Sequence, residues 1–493
     1  MNLLFLLIAP LLTAVAILLT KNRQQVKWLS LIGSVIQLVL AFVLFFAYKN
    51  ERAIDATTQM LFEQSYNLFP NWHISFHLGV DGISIAMILL TAFVVIAGVL
   101  VSWNIEKMTK EFYFLLILLG LGAYGFFMSL DLFILFFFLE IAVIPKYLLI
   151  GIWGSGKKEY SANKLALMLM GGSALVLVGM LGLYFSSGTE RSFDLLKLSQ
   201  VHFTIEAQRV MFPLLFVGFG VFTALFPFHT WVPDGHSSAP TAGSMFLAGI
   251  SMKLGGYGCL RVATYLLPEA AKEYSNIIIV LSTIAILYGA FATMMQKDLK
   301  YINAYSSVSH CGFVLLGIGM LTTTAMTGAV MQMVSHGLMT ALFFAVIGMI
   351  YDRTHTRMVA EMGGLMRSMP FIMTVLFIVG LCSLGLPGLS GFVAEVTVFM
   401  GSWEHPDAFH RIATIAACMS IVVTAVYILR AVGQVAMGPI KEIFIPLKDA
   451  EWNEKLAAIL LIVAIVAIGV MPSWLNELVR PATEIIMNKF SGK

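Results

Sequence analysis

Long apolar runs separated by short polar stretches fill this chain from end to end. Fourteen of them are long enough to cross a bilayer core as a helix, which takes about 17–25 mostly apolar residues. They lie near 2–20, 28–48, 82–104, 112–129, 131–153, 163–186, 209–227, 239–262, 275–295, 301–321, 326–351, 369–402, 407–432 and 454–472. Two are interrupted. The seventh runs into Pro227, His229, Trp231, Pro233 and Pro240, where prolines remove N–H donors and stop a regular helix. The twelfth carries Gly385-Leu386-Pro387-Gly388-Leu389-Ser390-Gly391, which opens the helix around Pro387. Broken backbone at membrane depth survives only where protein covers it or a water-filled cavity adjoins it. The pattern therefore predicts an all-α, polytopic membrane protein of about 14 transmembrane helices with broken helices 7 and 12. The first run lacks a basic start and a clear small-residue cleavage site, so it reads as a transmembrane helix rather than a signal peptide.

The two breaks, at Pro227 and Pro387, are five helices apart. An odd offset reverses direction in the membrane, the mark of two inverted five-helix repeats. The expected organisation is N-terminal helices 1–3 over 1–111, a first repeat of helices 4–8 over 112–262, a second of helices 9–13 over 275–432, and a linker with helix 14 over 433–493. Lys and Arg set the orientation: one set of mostly short loops holds 17 and the other side 11. The richer side is expected to be cytoplasmic, with both termini outside. Segment 49–80 reads as a hairpin or amphipathic piece on the outer face, and 433–453 as a cytoplasmic linker along the membrane surface that meets a neighbouring subunit.

Composition agrees: 59% hydrophobic and 12% charged residues describe a membrane protein, and a net charge of +3 gives no reason to expect nucleic acid. The four cysteines form no C-x-x-C pair, and no Asp/Glu/His cluster has metal-ligand spacing, so no metal, iron–sulfur or redox site is expected. No glycine pattern for a nucleotide follows a strand, and no nucleophile stands beside a base.

Few ionisable residues interrupt the apolar runs. Each costs roughly 2.5–3.5 kcal/mol at mid-bilayer and needs a reason to be there. They are Glu140 and Lys146 on helix five, Lys253 on helix eight, His310 on helix ten, His336 on helix eleven and Glu395 on helix twelve. A desolvated lysine exchanges its proton nearer neutrality, and histidines titrate there already. Glutamate, lysine, histidine and glutamate on successive helices make a candidate proton wire. Asp234, in the break, is expected to cap or turn the chain.

The runs Phe-Phe-Phe-Leu-Glu-Ile-Ala-Val-Ile-Pro (136–145), His-Thr-Trp-Val-Pro-Asp-Gly-His-Ser-Ser-Ala-Pro-Thr-Ala-Gly-Ser (229–244), Ser-Ser-Val-Ser-His-Cys-Gly (306–312) and Gly-Leu-Pro-Gly-Leu-Ser-Gly-Phe (385–392) resemble the antiporter-like subunits of respiratory complex I. The resemblance covers nearly the whole chain. It implies the inverted-repeat fold, a place in a bacterial inner-membrane arm beside other antiporter-like subunits and lipid, and proton transport coupled to NADH oxidation by quinone. NAD, FMN, iron–sulfur clusters and quinone are then expected in partner subunits, and none in this chain. By motif, Glu140, Lys253, His310 and His336 match the family's channel residues and Glu395 its terminal one. Sister subunits and Mrp antiporters usually have lysine at that last position, so glutamate favours the chain 4 branch.

One position departs. The family carries a lysine on helix seven shortly before the Pro-x-His motif, paired with the helix-five glutamate, and here that position is Phe222. Lys146, just after Pro145, stands where relatives have an apolar residue. It either takes over from the absent lysine or snorkels to the surface. On a straight helix the six residues from Glu140 to Lys146 amount to about 9 Å of rise, so the two do not share a face. Two alternatives remain open from sequence: a subunit of an Mrp-type cation/proton antiporter, or a structural membrane-arm subunit with an inactive channel.

Overall fold

The computed structural model describes residues 2–55, 58–189 and 191–490. Each of the fourteen predicted runs coincides with a helix or with an interrupted helix. Among the described residues, ten helices are long and apolar enough to cross a membrane, and Leu4–Leu19 and Pro370–Ser383 are shorter apolar ones. Two helices are buried on every side, and the fold uses them as its axis: Gly82–Val101 and Thr323–Thr354 are buried along nearly their whole membrane length.

The first break is shorter than the prolines suggest. Helix Ile205–Phe222 ends, and a short helix, Trp231–Ser238, already includes Pro233. Proline is tolerated there because the first-turn N–H groups have no helical acceptor. The chain then runs helically over 241–266, with two π-helical segments, Leu247–Ser251 and Cys259–Thr264, on either side of Met252–Gly258. The second break separates Pro370–Ser383 from Ser390–Trp403, and Gly385 and Gly388 supply the left-handed backbone it needs (φ +77° and +93°).

An internal echo shows in the capping. Asp131 caps helix Leu132–Trp153 and its backbone bridges Asp194, beyond the following helix Lys158–Ser186. Asp298 caps helix Leu299–Gly319 and bridges Met358, beyond the following helix Thr323–Thr354. The same device recurs five helices later, at the opposite end of the bundle.

Segment 49–80 contains an antiparallel hairpin, Leu61–Phe69 with Ile74–Val80, clasped to the Asp131 cap through Leu78–Ser129 and the Ser75 N–H. At its centre His77 Nδ1 lies 2.6 Å from Asp194 Oδ2, and Nε2 lies 3.4 Å from Glu63 Oε2. Burial disfavours the charged imidazole, but the two carboxylates outweigh it and hold His77 above its ordinary 6.5. Burial likewise opposes Asp194 ionisation, and His77 outweighs it, holding Asp194 below its ordinary 3.8. The histidine's contribution is full below 6.5 and fades as pH rises through its raised value. The aspartate's is full above 3.8 and fades as pH falls through its lowered value. The clasp is therefore tightest between those two ordinary values. Chymotryptic cleavage at the hairpin tip, corrected for protease activity on a peptide, is expected to be faster at pH ~8.5 than at ~6 in the parent and to depend much less on pH in His77→Asn, where the buried Asp131 cap, raised to about 6, still titrates near this range. Equal pH dependence in both would remove His77 from the account.

Three expectations need correction. Arg261, one of the 11 Lys and Arg counted on the other side, is no loop charge: it lies within the eighth helical run, 2% exposed, paired with Asp81. The C-terminal tail is an amphipathic helix, Ser473–Asn488, whose Leu475, Leu478, Val479, Ala482 and Ile486 pack on Gly82–Val101 and Thr323–Thr354. That spacing was legible as one apolar stripe. The 433–453 linker folds back on its own bundle: Arg353 binds the Lys448 and Asp449 carbonyls and Glu454, and Asp449 accepts from the Phe371 and Ile372 N–H groups.

Candidate functional site

Four of the six predicted residues form one contiguous buried row. Lys253 Nζ lies 2.7 Å from His336 Nδ1. The His336 and His310 rings are 5.4 Å apart, and His310 Nδ1 lies 3.2 Å from Glu395 Oε1. Lys253, His336, His310 and Glu395 are exposed by only 1, 1, 4 and 5%.

Local sequence explains the meeting. Gly249 and Gly337 face each other, and a Cβ at Gly337 would stand 2.7 Å from the Gly249 carbonyl oxygen. Two glycines let the eighth run and helix Thr323–Thr354 approach closely, about one turn from Lys253 and next to His336. The π segment frees the Ala248 carbonyl, which accepts from Lys253 Nζ at 2.5 Å. Past the second break, Glu395 is one to two turns into helix Ser390–Trp403, and its Oε2 is 3.0 Å from where a Cβ at Gly385 would be.

Glu140 and Lys146 lie apart from this row and make no hydrogen bond or ion pair with it or with each other. Lys146 is 2% exposed and its Nζ has no partner. It does not reach a surface. Its ammonium stands over the Phe222 ring, 5.9 Å from the centroid, and Glu140 is the one charge that acts on it. Glu140 is half-buried, with Oε1 covered and unpartnered, between exposed Phe137 and Ile144.

Several polar residues that sequence reasoning passed over join the site. Gln332 Nε2 is 3.3 Å from His310 Nδ1, and Ser383 Oγ is 3.2 Å from His310 Nε2. Asn303 is 1% exposed with both amide atoms unpartnered. His236 is fully buried, stacked on Phe344 at 4.9 Å, with neither ring nitrogen partnered, and Lys253 and Lys300 are the charges acting on it. Uncharged polar residues inside apolar helices were the available signal, but a hydropathy reading ranks only charges highly. Asp234 does not cap: it pairs with Lys164 at 2.7 Å, on the wall of a polar cavity of about 580 Å³ with Lys157, Tyr160, Tyr301 and Arg357. The cavity opens at the end opposite the hairpin and borders Ser237 and Ser238, next to His236.

A metal-like spacing escaped the sequence reading. His405, Asp407 and His410 bring ligand atoms within 4.8 Å of one another. Asp407 caps helix Ala408–Ala436 and binds His410 Nδ1, His405 Nε2 binds the Met320 carbonyl, and the two rings stack at 4.0 Å. Stacked rings aim their lone pairs in parallel rather than at a shared ion, so the cluster reads as a cap.

Known proteins share both the fold and the sequence. The family described as "NADH:quinone oxidoreductase/Mrp antiporter, TM" matches residues 129–420. NAD(P)H-quinone oxidoreductase chain 4 1 of Synechococcus elongatus is 36% identical over 94% of this chain and 87% of its own length. The chloroplastic chain 4 of Physcomitrium patens is 35% identical over 95% and 94%. A chain of respiratory complex I from Thermus thermophilus superposes with a TM-score of 0.90 at 25% identity, covering 99% of both chains. A chain of the Mrp complex from Dietzia shares the fold at a TM-score of 0.86 and 18% identity. The chain belongs to the antiporter-like membrane subunits of the NADH:quinone oxidoreductase/Mrp family.

Proposed function

We propose that the chain is a proton-translocating, non-redox subunit in the membrane arm of an NADH:quinone oxidoreductase. The observation that carries this is the buried row Lys253–His336–His310–Glu395, which joins the two broken halves of the bundle. Protons enter from the polar cavity, which the Lys and Arg distribution assigns to the cytoplasm, by way of Lys300 and His236. Lys253 loads, the histidines pass the proton laterally, and Glu395 releases it past the second break. Each group in that row gains or loses a proton at a nitrogen or a carboxylate oxygen, so no bonded partner has to move far.

The repeats divide as 112–262 and 275–432, and Lys253 and Glu395 each sit past the break of their own half. Glu140, beside exposed Phe137 and Ile144, faces a neighbouring membrane-arm subunit, and Lys146 sits between that face and the interior. Flavin, nicotinamide, iron–sulfur and quinone chemistry belongs to partner subunits, and the bacterial cell membrane houses the complex with both termini outside.

A subunit of an Mrp-type antiporter shares the fold. The chain 4 relatives, at 35–36% identity, favour the oxidoreductase. Co-purification separates the two: NADH-binding and iron–sulfur partners support the present reading, and only small antiporter partners refute it. Glu395→Gln, which removes the releasing carboxylate and keeps its shape, is expected to leave a partial defect in NADH-driven proton uptake by inverted vesicles. Full pumping there would take Glu395 out of the path.

A further inference from the structure

Lys253 has a polar way in from the cavity end, and the helix that bears it also carries polar groups toward the hairpin end. Tyr257 and Arg261 follow four and eight residues on, about 12 Å of rise. The Arg261 guanidinium is 2% exposed, with its carbon 5.7 Å from the Tyr257 ring centroid. It pairs through Nη2 with Asp81, itself 1% exposed and the cap of helix Gly82–Val101. Tyr257 Oη reaches Ser84 Oγ at 3.1 Å and the Phe127 carbonyl at 3.4 Å. Arg261 Nε and Thr264 Oγ1 are buried without partners. Polar atoms thus continue from Lys253 toward the far end of the bundle, a second way out that would bypass Glu395 and dissipate the gradient.

We propose that Arg261, held by Asp81, is an electrostatic plug that closes this second route. The inference rests on the reading of Lys253 as a proton carrier. A guanidinium does not deprotonate in a protein, so it neither relays a proton nor loses its charge. A fixed cation beside a proton path raises the barrier for any further positive charge, as in other proton-excluding pores. A proton on Lys253 therefore meets a standing charge two turns on and moves sideways to His336. Stability alone is a poor reason for the pair, because buried ion pairs are often no better than apolar packing of the same volume.

The plug and a mere structural tie respond differently to its two halves. Arg261→Gln removes the cation. Asp81→Asn removes only the anion and leaves the barrier standing. Intact complex is reconstituted in liposomes without NADH, a potassium diffusion potential is imposed with valinomycin, and proton flux is read with a pH dye and normalised to flavin content. Arg261→Gln is expected to pass protons about tenfold faster than the parent, the effect of about 1.4 kcal/mol of barrier. Asp81→Asn and Arg261→Lys are expected to stay tight. The double change Asp81→Asn/Arg261→Gln leaves no unpaired buried charge, so it serves if Arg261→Gln does not assemble, and it too should leak. Adding Lys253→Met should abolish the leak. A tight Arg261→Gln complex overturns the plug, as do equal leaks in Arg261→Gln and Asp81→Asn, or a leak that survives Lys253→Met. Normal pumping by Lys253→Met alone would instead defeat the carrier reading beneath it.

Discussion

Lys146→Met is expected to lose most NADH-driven proton translocation, and the double change Lys146→Met/Phe222→Lys to regain much of it. The resemblance implies a helix-seven lysine where this chain has Phe222, and the Lys146 ammonium stands 5.9 Å from the centre of that ring. One charge is missing and another occupies the same space from a different helix. At 2% exposure, with no partner for Nζ, this lysine is not a surface snorkeller, and leaving it charged and unpaired inside the bundle is costly. Glu140 is the charge that acts on it, without ion-pair contact. Their coupling is therefore softer than the about 4 kcal/mol of unit charges 4 Å apart at an effective dielectric near 20. A soft coupling suits a group that must both hold and give up a proton. The expected loss in the single variant is about tenfold, equivalent to about 1.4 kcal/mol. Pumping by Lys146→Met at the parent rate would end the idea. Loss without recovery in the double variant would leave Lys146 necessary but deny that it substitutes for a lysine at 222.

How much of this was readable before the fold was known follows from what each signal depends on. The helices were legible because a membrane demands long apolar runs, and both breaks because proline and glycine act locally. The buried charges at Lys253, His310, His336 and Glu395 were legible as candidates, because charge in an apolar run is conspicuous. Their order was not. The row runs from the eighth helix to the eleventh, back to the tenth and on to the twelfth, and only packing through Gly249 and Gly337 decides that. Arg261 was not legible as buried, because it stands in the last turns of its helical run, where hydropathy cannot tell a surface cation from one paired with Asp81, 180 residues away. His236 stands in the break, and nothing local shows that the short helix Trp231–Ser238 buries its ring against Phe344. The straight-helix argument put Lys146 off Glu140's face, and the two indeed make no contact. What placed the lysine was Phe222, on another element altogether.

The largest effect is expected at the head of the row. Lys253→Ala removes the side chain that binds His336 from the entry side, and Glu140→Ala removes the one charge that acts on Lys146 among the described residues. Both variants are expected to assemble, because an uncharged residue in either place lifts a desolvation cost. Both should nevertheless lose most pumping and slow NADH:quinone turnover. Moving one charge against 100 mV requires about 2.3 kcal/mol, and a coupled machine whose relay is broken has nowhere to deliver it. The ratio of protons translocated to NADH oxidised, together with the turnover rate, in liposomes holding the intact Lys253→Ala complex is the most direct test. The account predicts that turnover falls, and that whatever turnover remains carries fewer protons per NADH than the parent. An unchanged rate with an unchanged ratio would contradict it.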